Sequence, residues 1–545
     1  MSVCSEAEDS RVAPTKKTVF ARPATGLVRK YSTLDTFFIG ISTLGIGTSL
    51  IQIGTWVPYA YPGADIPLLM FLGLLLSMFI GLNWVVLSVA MPRSGGDYIF
   101  VSRVLGPRLG FLSSWAVVTQ QFVFAAADAS FFVTTMLAST FFALGLSGVS
   151  GMIRVANWLG THDGAFTIGV LCFVIYFLVT FVGGRTYRLV TVVLMTAAFL
   201  SLFLLVGIYL GASPSGFQSA FSSAVASNST SYQGIIDTAQ KGGFALPPFS
   251  LVATLSALPY ATLAYAGFER GSYIAGEVKS VDRAMPIGIM LTLLVGGLFL
   301  IVVPYITFGV MGSNFYQSLN WLYYNNRAAY PLPVRPSFDG LALLLVKNPY
   351  LVALFGFSFA TWGIINNIAR FQIVSRSVMS WGFDRVAPTF FADVNDRFHT
   401  PITGLWLYLI GGFLALGLWN YTPYLSLFLS FLGITYILRA LPMISAMLLP
   451  YKRRELWQNL PIKKMFGAVP LIVISGAIGA LIFLYESFQV YAELVTGPFS
   501  YLIEAAVVVL IFFVIVGIGI YEVSRILRKR EGIDLSLAFK ELPPE

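Results

Sequence analysis

Twelve apolar segments dominate this chain, at roughly 34–56, 66–91, 110–145, 165–183, 189–211, 249–276, 285–311, 349–380, 402–420, 424–449, 467–489 and 499–526. Most reach or exceed the ~20 residues a helix needs to cross about 30 Å of hydrocarbon. Lipid offers backbone N–H and C=O groups no partner, so segments of this length cross as helices. The longer ones imply tilt or extension beyond the lipid. Charged residues make up 11% of the chain and hydrophobic residues 57%, against about 25% charged in a soluble domain. The sequence therefore predicts an all-α polytopic membrane protein with twelve transmembrane helices in a lipid bilayer.

Charge placement orients the chain. Lys16, Lys17, Arg22, Arg29, Lys30, Arg93, Arg103, Arg108, Arg185, Arg188, Lys279, Arg283, Arg376, Arg385 and Arg397 fall on one side. Lys452–Arg454, Lys463, Lys464, Arg525 and Arg528–Arg530 join them, while the other side holds only Arg154, Lys241, Arg327, Arg335 and Lys347. Basic residues mark cytoplasmic loops, so both termini are expected in the cytoplasm, beneath the cell membrane. The net charge of +9 is thus a topology signal and not a nucleic-acid footprint. Cys4 and Cys172 are too few for a disulfide framework or a cysteine metal cage. His162 and His399 leave little for metal chemistry, and no cofactor is expected. Residues 1–30 are polar, lack a signal-peptide pattern and read as a disordered tail. Two long outside loops follow segments 5 and 7, at Ala212–Pro248 and Ser313–Lys347; the second has room for a short surface helix. Asn228 and Asn420 open glycosylation-acceptor triplets on that side.

Segment 1 carries Ser42-Thr-Leu-Gly-Ile-Gly-Thr-Ser-Leu50 at its centre. Glycine loosens a helix, and unwound backbone at membrane depth is tolerated only against protein or a water-filled cavity. There its N–H groups attract a carboxylate and its carbonyls an ammonium or a cation. Close packing against a neighbouring helix is the competing reading. Segment 6 repeats the theme in Ala264-Tyr-Ala-Gly-Phe-Glu-Arg-Gly-Ser272, with Glu269 and Arg270 inside an apolar run. Charges at such depth face an interior or a cavity and pair. If five segments repeat with opposite orientation, segments 1 and 6 are symmetry mates. Paired, Gly-interrupted segments point to a transporter site. The expected fold is a 5+5 inverted repeat with broken helices 1 and 6. Its parts are a tail at 1–33, repeats at 34–211 and 249–449 separated by an outer loop at 212–248, a cytoplasmic loop at 450–466, helices 11 and 12 at 467–526, and a tail at 527–545.

Three further stretches carry a family resemblance. They are Pro92-Arg-Ser-Gly-Gly-Asp-Tyr98 with Arg103, Gly106-Pro107 and Gly110-Phe111; Gly267-Phe-Glu269 with Glu277-Val-Lys279 and Pro286; and Ser375-Arg376, Asp384, Pro388, Phe391-Ala392 and Thr400-Pro401. With the segment-1 glycines they resemble, in order, the signatures of the amino acid–polyamine–organocation transporters. Arg385 departs from the usual glycine, and Gly45-Ile-Gly47 is a looser form of the usual motif. The resemblance implies that backbone N–H groups near Gly45, Ile46, Gly47 and Thr48 hold a substrate carboxylate. Carbonyls near Tyr265, Ala266 and Gly267 would hold its amino group, with Tyr265 or Phe268 as an aromatic lid. It places an inner gate at Arg103, Arg376 and Asp384; a solvated loop is the plainer alternative.

Asp128 in segment 3 and Arg370 in segment 8 fall where the resembled arginine/agmatine-type antiporters place pocket-lining residues. Three readings stay open: an ion pair, contacts to a substrate side chain, or a proton-carrying Asp128. Segment 5 has no lysine, so the resembled proton-coupled members with a lysine there are a poor guide. Thr361, Asn366 and Asn367 offer sodium ligands or helix–helix contacts, and Glu269 is a further protonation site. An intramembrane enzyme would need a nucleophile with a base, or facing metal ligands, and no such pattern occurs. A channel is disfavoured by the paired interruptions. The expected function is alternating-access transport of an amino acid, coupled to a proton or sodium or by exchange. A polyamine or other small organic solute is the alternative cargo. Replacing Gly47 by Leu is expected to fill the backbone site and abolish uptake.

Overall fold

A computed structural model describes residues 29–395, 397–398, 400–422, 427–496, 503–535 and 539. Cys4, Lys16, Lys17, Arg22, His399 and the starts of segments 10 and 12 lie outside the described residues. Within them, eleven helices are long and apolar enough to cross a membrane, from Thr33–Ala60 to Val509–Arg530. Segment 6 is the exception to the expected twelve. It divides into helices Leu251–Ser256 and Leu258–Tyr265 and a 3-10 helix, Phe268–Glu277. Two local causes act: Pro259, lacking an N–H, opens the second piece, and Gly267 takes a left-handed φ of +118°.

Segment 1 is interrupted by a single residue. Helix Thr33–Leu44 begins with a capping box between Ser32 and Asp35 and ends at Gly45, whose φ of +59° only glycine adopts cheaply. Helix Ile46–Ala60 restarts at once. Segment 3 runs Pro107–Leu146 and includes a π-helical stretch at Phe132–Leu137. The segments differ in how enclosed they are: the most apolar window of segment 1 is 89% buried and those of segments 3 and 8 are 72% buried, against 28% in segment 5 and 17% in segment 12. Segments 1, 3 and 8 therefore form the interior, and the exposed Leu, Ile and Phe of segments 5 and 12 face outward.

The two long loops are more structured than their composition suggests. Ala212–Pro248 contains helices Pro214–Ala224 and Tyr232–Lys241, capped by Ser213 and Ser231. Helix Ser313–Asn325 is not a surface element: Phe315, Tyr316, Leu319 and Leu322 are buried. Asn420 is buried as well, and its amide donates to the Leu416 carbonyl at 2.9 Å, which closes it to a glycan. A two-stranded hairpin, Met465–Phe466 with Val469–Pro470, precedes segment 11.

Candidate functional site

The two glycine breaks touch. A Cβ on Gly267 would lie 2.5 Å from the Leu44 nitrogen and the Thr43 carbonyl carbon, so only glycine fits there. Hydroxyls bridge the breaks: Thr43 Oγ1 donates to the Gly267 carbonyl at 3.0 Å and Ser49 Oγ to the Ala264 carbonyl at 3.0 Å. Ile46, Gly47 and Thr48 form the first turn of the restarted helix, whose N–H groups have no intrahelical partner. Asn366 of segment 8 spans the break, its amide 3.4 Å from both the Thr43 carbonyl and Thr48 Oγ1.

A cavity of about 40 Å³ opens between these breaks and segments 3, 8 and 10. Its principal ion pair joins Arg370 Nη2 to Asp128 Oδ2 at 2.5 Å, with both side chains nearly buried. Arg370 Nη1 also donates to Gln121 Oε1 at 2.8 Å, and its guanidinium lies 5.2 Å from the Phe124 ring. Gln52 donates to Asp128 Oδ1 at 3.3 Å. Arg270 and Arg439 complete the charged lining. Glu269, just outside it, accepts from the Gly267 N–H at 2.8 Å and pairs with Arg270 at 3.4 Å and Arg439 at 3.8 Å. The lining thus carries three guanidinium groups and one carboxylate. Two buried polar atoms of this lining have no hydrogen-bond partner among the described residues: the Arg370 Nε donor and the Asn366 Oδ1 acceptor.

Of the residues singled out in the sequence, Thr48, Asp128, Ala266, Gly267, Arg270, Asn366 and Arg370 line this cavity. Gly45 and Ile46 stand at the break behind it. Gly47 faces elsewhere, because a Cβ there would lie 2.5 Å from the Trp362 ring. Loss of uptake in Gly47→Leu would therefore report a clash with Trp362 as readily as a filled site. Tyr265 points toward segment 2, its hydroxyl donating to the Met70 carbonyl at 3.0 Å. Phe268 and Glu269 line a second cavity between segments 2, 3, 6, 10 and 11, which shares Ala266, Arg270 and Arg439 with the first.

Two side-chain clusters lie toward opposite ends of the helices that line the cavity. At the basic end Arg103 Nη1 pairs with Asp384 Oδ2 at 2.7 Å, and Arg376 Nε with Glu277 Oε1 at 3.1 Å, all four side chains buried. Phe539 lies 5.1 Å from the Arg103 guanidinium. At the other end Trp56 packs edge-on against Phe131 at 5.9 Å and Tyr260 at 6.1 Å. Arg335 stacks on Phe131 at 5.0 Å. The sequence reading missed Gln52, Gln121, Arg439, Glu486 and Glu493. For Arg439 and Glu486 the signal was present: each is a charge inside an apolar segment, the same mark that singled out Asp128 and Arg370, whereas Glu493 falls just past the expected end of segment 11.

A family model described as amino acid permease matches residues 31–520. The branched-chain amino acid permease BcaP of Lactococcus lactis subsp. cremoris (strain MG1363) is 25% identical over 474 residues, spanning 86% of this chain and 91% of that protein. A methylthioribose transporter of Bacillus subtilis (strain 168) is 25% identical over 404 residues, spanning 72% of this chain and 76% of that protein.

Proposed function

This chain belongs to the amino acid permease family and is a multi-pass membrane transporter, and on that premise we propose that it carries a polar or acidic amino acid across the cell membrane by alternating access. Segment 6 counts as a twelfth, broken crossing, segments 1–5 and 6–10 form inverted repeats, and both termini are cytoplasmic. The observation that carries the reading is the pair of open groups beside the touching breaks. Among the described residues Arg370 Nε lacks an acceptor and Asn366 Oδ1 lacks a donor, which are the complements of a carboxylate and an ammonium. The first-turn N–H groups of Ile46–Thr48 add a second carboxylate site, and the carbonyls ending helix Leu258–Tyr265 a second ammonium site.

Charge decides among cargoes. Every carboxylate at or beside the lining already faces a guanidinium, Asp128 facing Arg370 and Glu269 facing Arg270 and Arg439, which favours a zwitterion over a polyamine. Gln52, Gln121, Asp128 and Arg370 offer hydrogen bonds that a polar side chain uses and a branched aliphatic one does not, beside the apolar Leu44, Phe124 and Leu263, which favours a polar cargo over the one named for the Lactococcus relative. A hydroxylated organic solute is the second reading. It is supported by the name of the Bacillus relative and by the two glutamines, which bind hydroxyls well.

Ligand-induced thermal stabilisation of the purified protein tests both readings. A ligand that binds only the folded state at about 100 times its Kd adds ~2.7 kcal/mol of stability. Acidic and polar amino acids are expected to raise the melting temperature, and leucine, lysine and polyamines to leave it unchanged. A shift with methylthioribose alone would favour the second reading. Stabilisation by branched-chain amino acids or polyamines would overturn the assignment.

A further inference from the structure

Segments 11 and 12 lie outside the proposed repeat, yet segment 11 carries a carboxyl group into the core. Glu486 is fully buried in helix Leu471–Thr496, and neither of its oxygens has a hydrogen-bond donor in bonding geometry among the described residues. Its neighbours identify its surroundings. Segment 6 presents Thr262, whose hydroxyl is directed at the Leu258 and Pro259 carbonyls, 3.4 and 3.3 Å away. Segment 10 presents Arg439 and Tyr436, the Tyr436 hydroxyl donating to the Pro259 carbonyl at 2.5 Å. Segment 2, packed along segment 11, has no ionisable side chain between Ile66 and Ala90. Segment 11 itself adds Tyr485, Tyr491 and, seven residues on and on the same face, Glu493. Glu493 accepts from Tyr61 at 2.7 Å and from Tyr260 at 3.3 Å.

The other carboxylates of this region have donors. Asp97 accepts from Tyr273 and Ser113, each at 2.6 Å. Glu269 has the Gly267 N–H, Arg270 and Arg439. Asp97 and Glu269 balance Arg270 and Arg439, so a charged Glu486 would be the excess. A buried carboxylate without a donor is expensive, whereas a carboxylic acid brings its own donor.

We propose that Glu486 is a proton-binding site, and that its occupancy decides whether Arg439 stays on Glu269 at the break of segment 6. The inference rests on the transport reading for its purpose but not for its chemistry. With a proton taken from water onto a Glu486 oxygen, the local charges cancel and Arg439 remains 3.8 Å from Glu269. When the proton leaves, the new carboxylate draws Arg439 toward segment 11. Glu269 then keeps only Arg270 and the Gly267 N–H, and the break is freed to move. Arg439 lines both cavities, so the displacement is felt where the substrate would sit.

Infrared difference spectroscopy on the purified protein, titrated with pH and without substrate, reads the site directly. Wild type is expected to show a protonated-carboxyl C=O band that disappears as pH rises. Glu486→Gln, isosteric with the acid, should lack that band, and Glu493→Gln should retain it. The same band in Glu486→Gln overturns the proposal. No substrate is involved, so a wrong cargo leaves this test intact. In proteoliposomes a one-unit pH gradient can drive up to about tenfold accumulation per coupled proton. Glu486→Gln should lose that accumulation, with Glu486→Asp restoring part of it. Full gradient-driven accumulation in Glu486→Gln would also overturn the proposal.

Discussion

Asp339 concentrates a cost in one side chain. It lies in the short helix Phe338–Leu343, between the membrane segments, at 2% exposure. Burial pushes its carboxyl up to about 6, although the Ser337 hydroxyl and the backbone N–H groups of Asp339 and Gly340 pull the other way. Between about pH 4 and 6 the native state therefore binds more protons than the unfolded chain, and stability falls as pH rises through that window. Above it the penalty is constant, at most about 3 kcal/mol for a shift of about two units. Asp339→Asn should remove it. The variant should melt higher than wild type at pH 7, with the difference vanishing near pH 4. Parallel melting curves across that range would refute the assignment. Nothing in the sequence marks Asp339, which reads there as an ordinary loop acid.

Pairing belongs to the element scale. Segments 3 and 8 are joined at Asp128 and Arg370, two residues 242 positions apart in the chain. Removing one partner of a buried pair strands the other charge and costs about 3–5 kcal/mol, whereas removing both is far milder. Asp128→Asn and Arg370→Gln should each lower the melting temperature, and the double variant should melt above at least one of them. Strict additivity in that cycle would mean the two side chains do not depend on each other. The double variant should still fail to bind substrate, since Arg370 Nε is one of the two open groups. The sequence marked both residues as functional because charge in hydrocarbon is costly. It left three readings open because their pairing depends on how two helices are rotated against each other. The segment-1 break was similarly half legible. Two glycines were visible, but only packing distinguishes Gly45, which carries the left-handed turn, from Gly47, which makes room for Trp362.

At the scale of the whole molecule, buried ion pairs stand toward one end of the cavity-lining helices and aromatic rings toward the other. Breaking the Arg103–Asp384 pair should favour opening at the basic end. In a background with Cys4 and Cys172 replaced by serine, a cysteine at Thr48, which lines the cavity, reports that opening. Asp384→Asn should speed its labelling by an aqueous thiol reagent from the basic side, about tenfold for each ~1.4 kcal/mol shifted. Unchanged labelling would show that the pair is structural and does not hold the cavity shut. Arg103, Arg376 and Asp384 were legible as a set through the family resemblance. The aromatic cover was not, because Trp56, Phe131 and Tyr260 are unremarkable among many aromatics until three elements bring them together.

The sequence alone determined the class of molecule, the positions of its apolar segments and the residues at which something unusual happens. Those follow from local physics: hydrocarbon demands long apolar helices, glycine permits a break, and a charge in lipid is too costly to be incidental. Tertiary structure alone decided which unusual residues meet. Arg370 chose Asp128, and Arg439 came to lie between Glu269 and Glu486. Each of these is a contact between residues far apart in the chain, and burial and hydrogen-bond satisfaction act on such contacts only once the helices have packed.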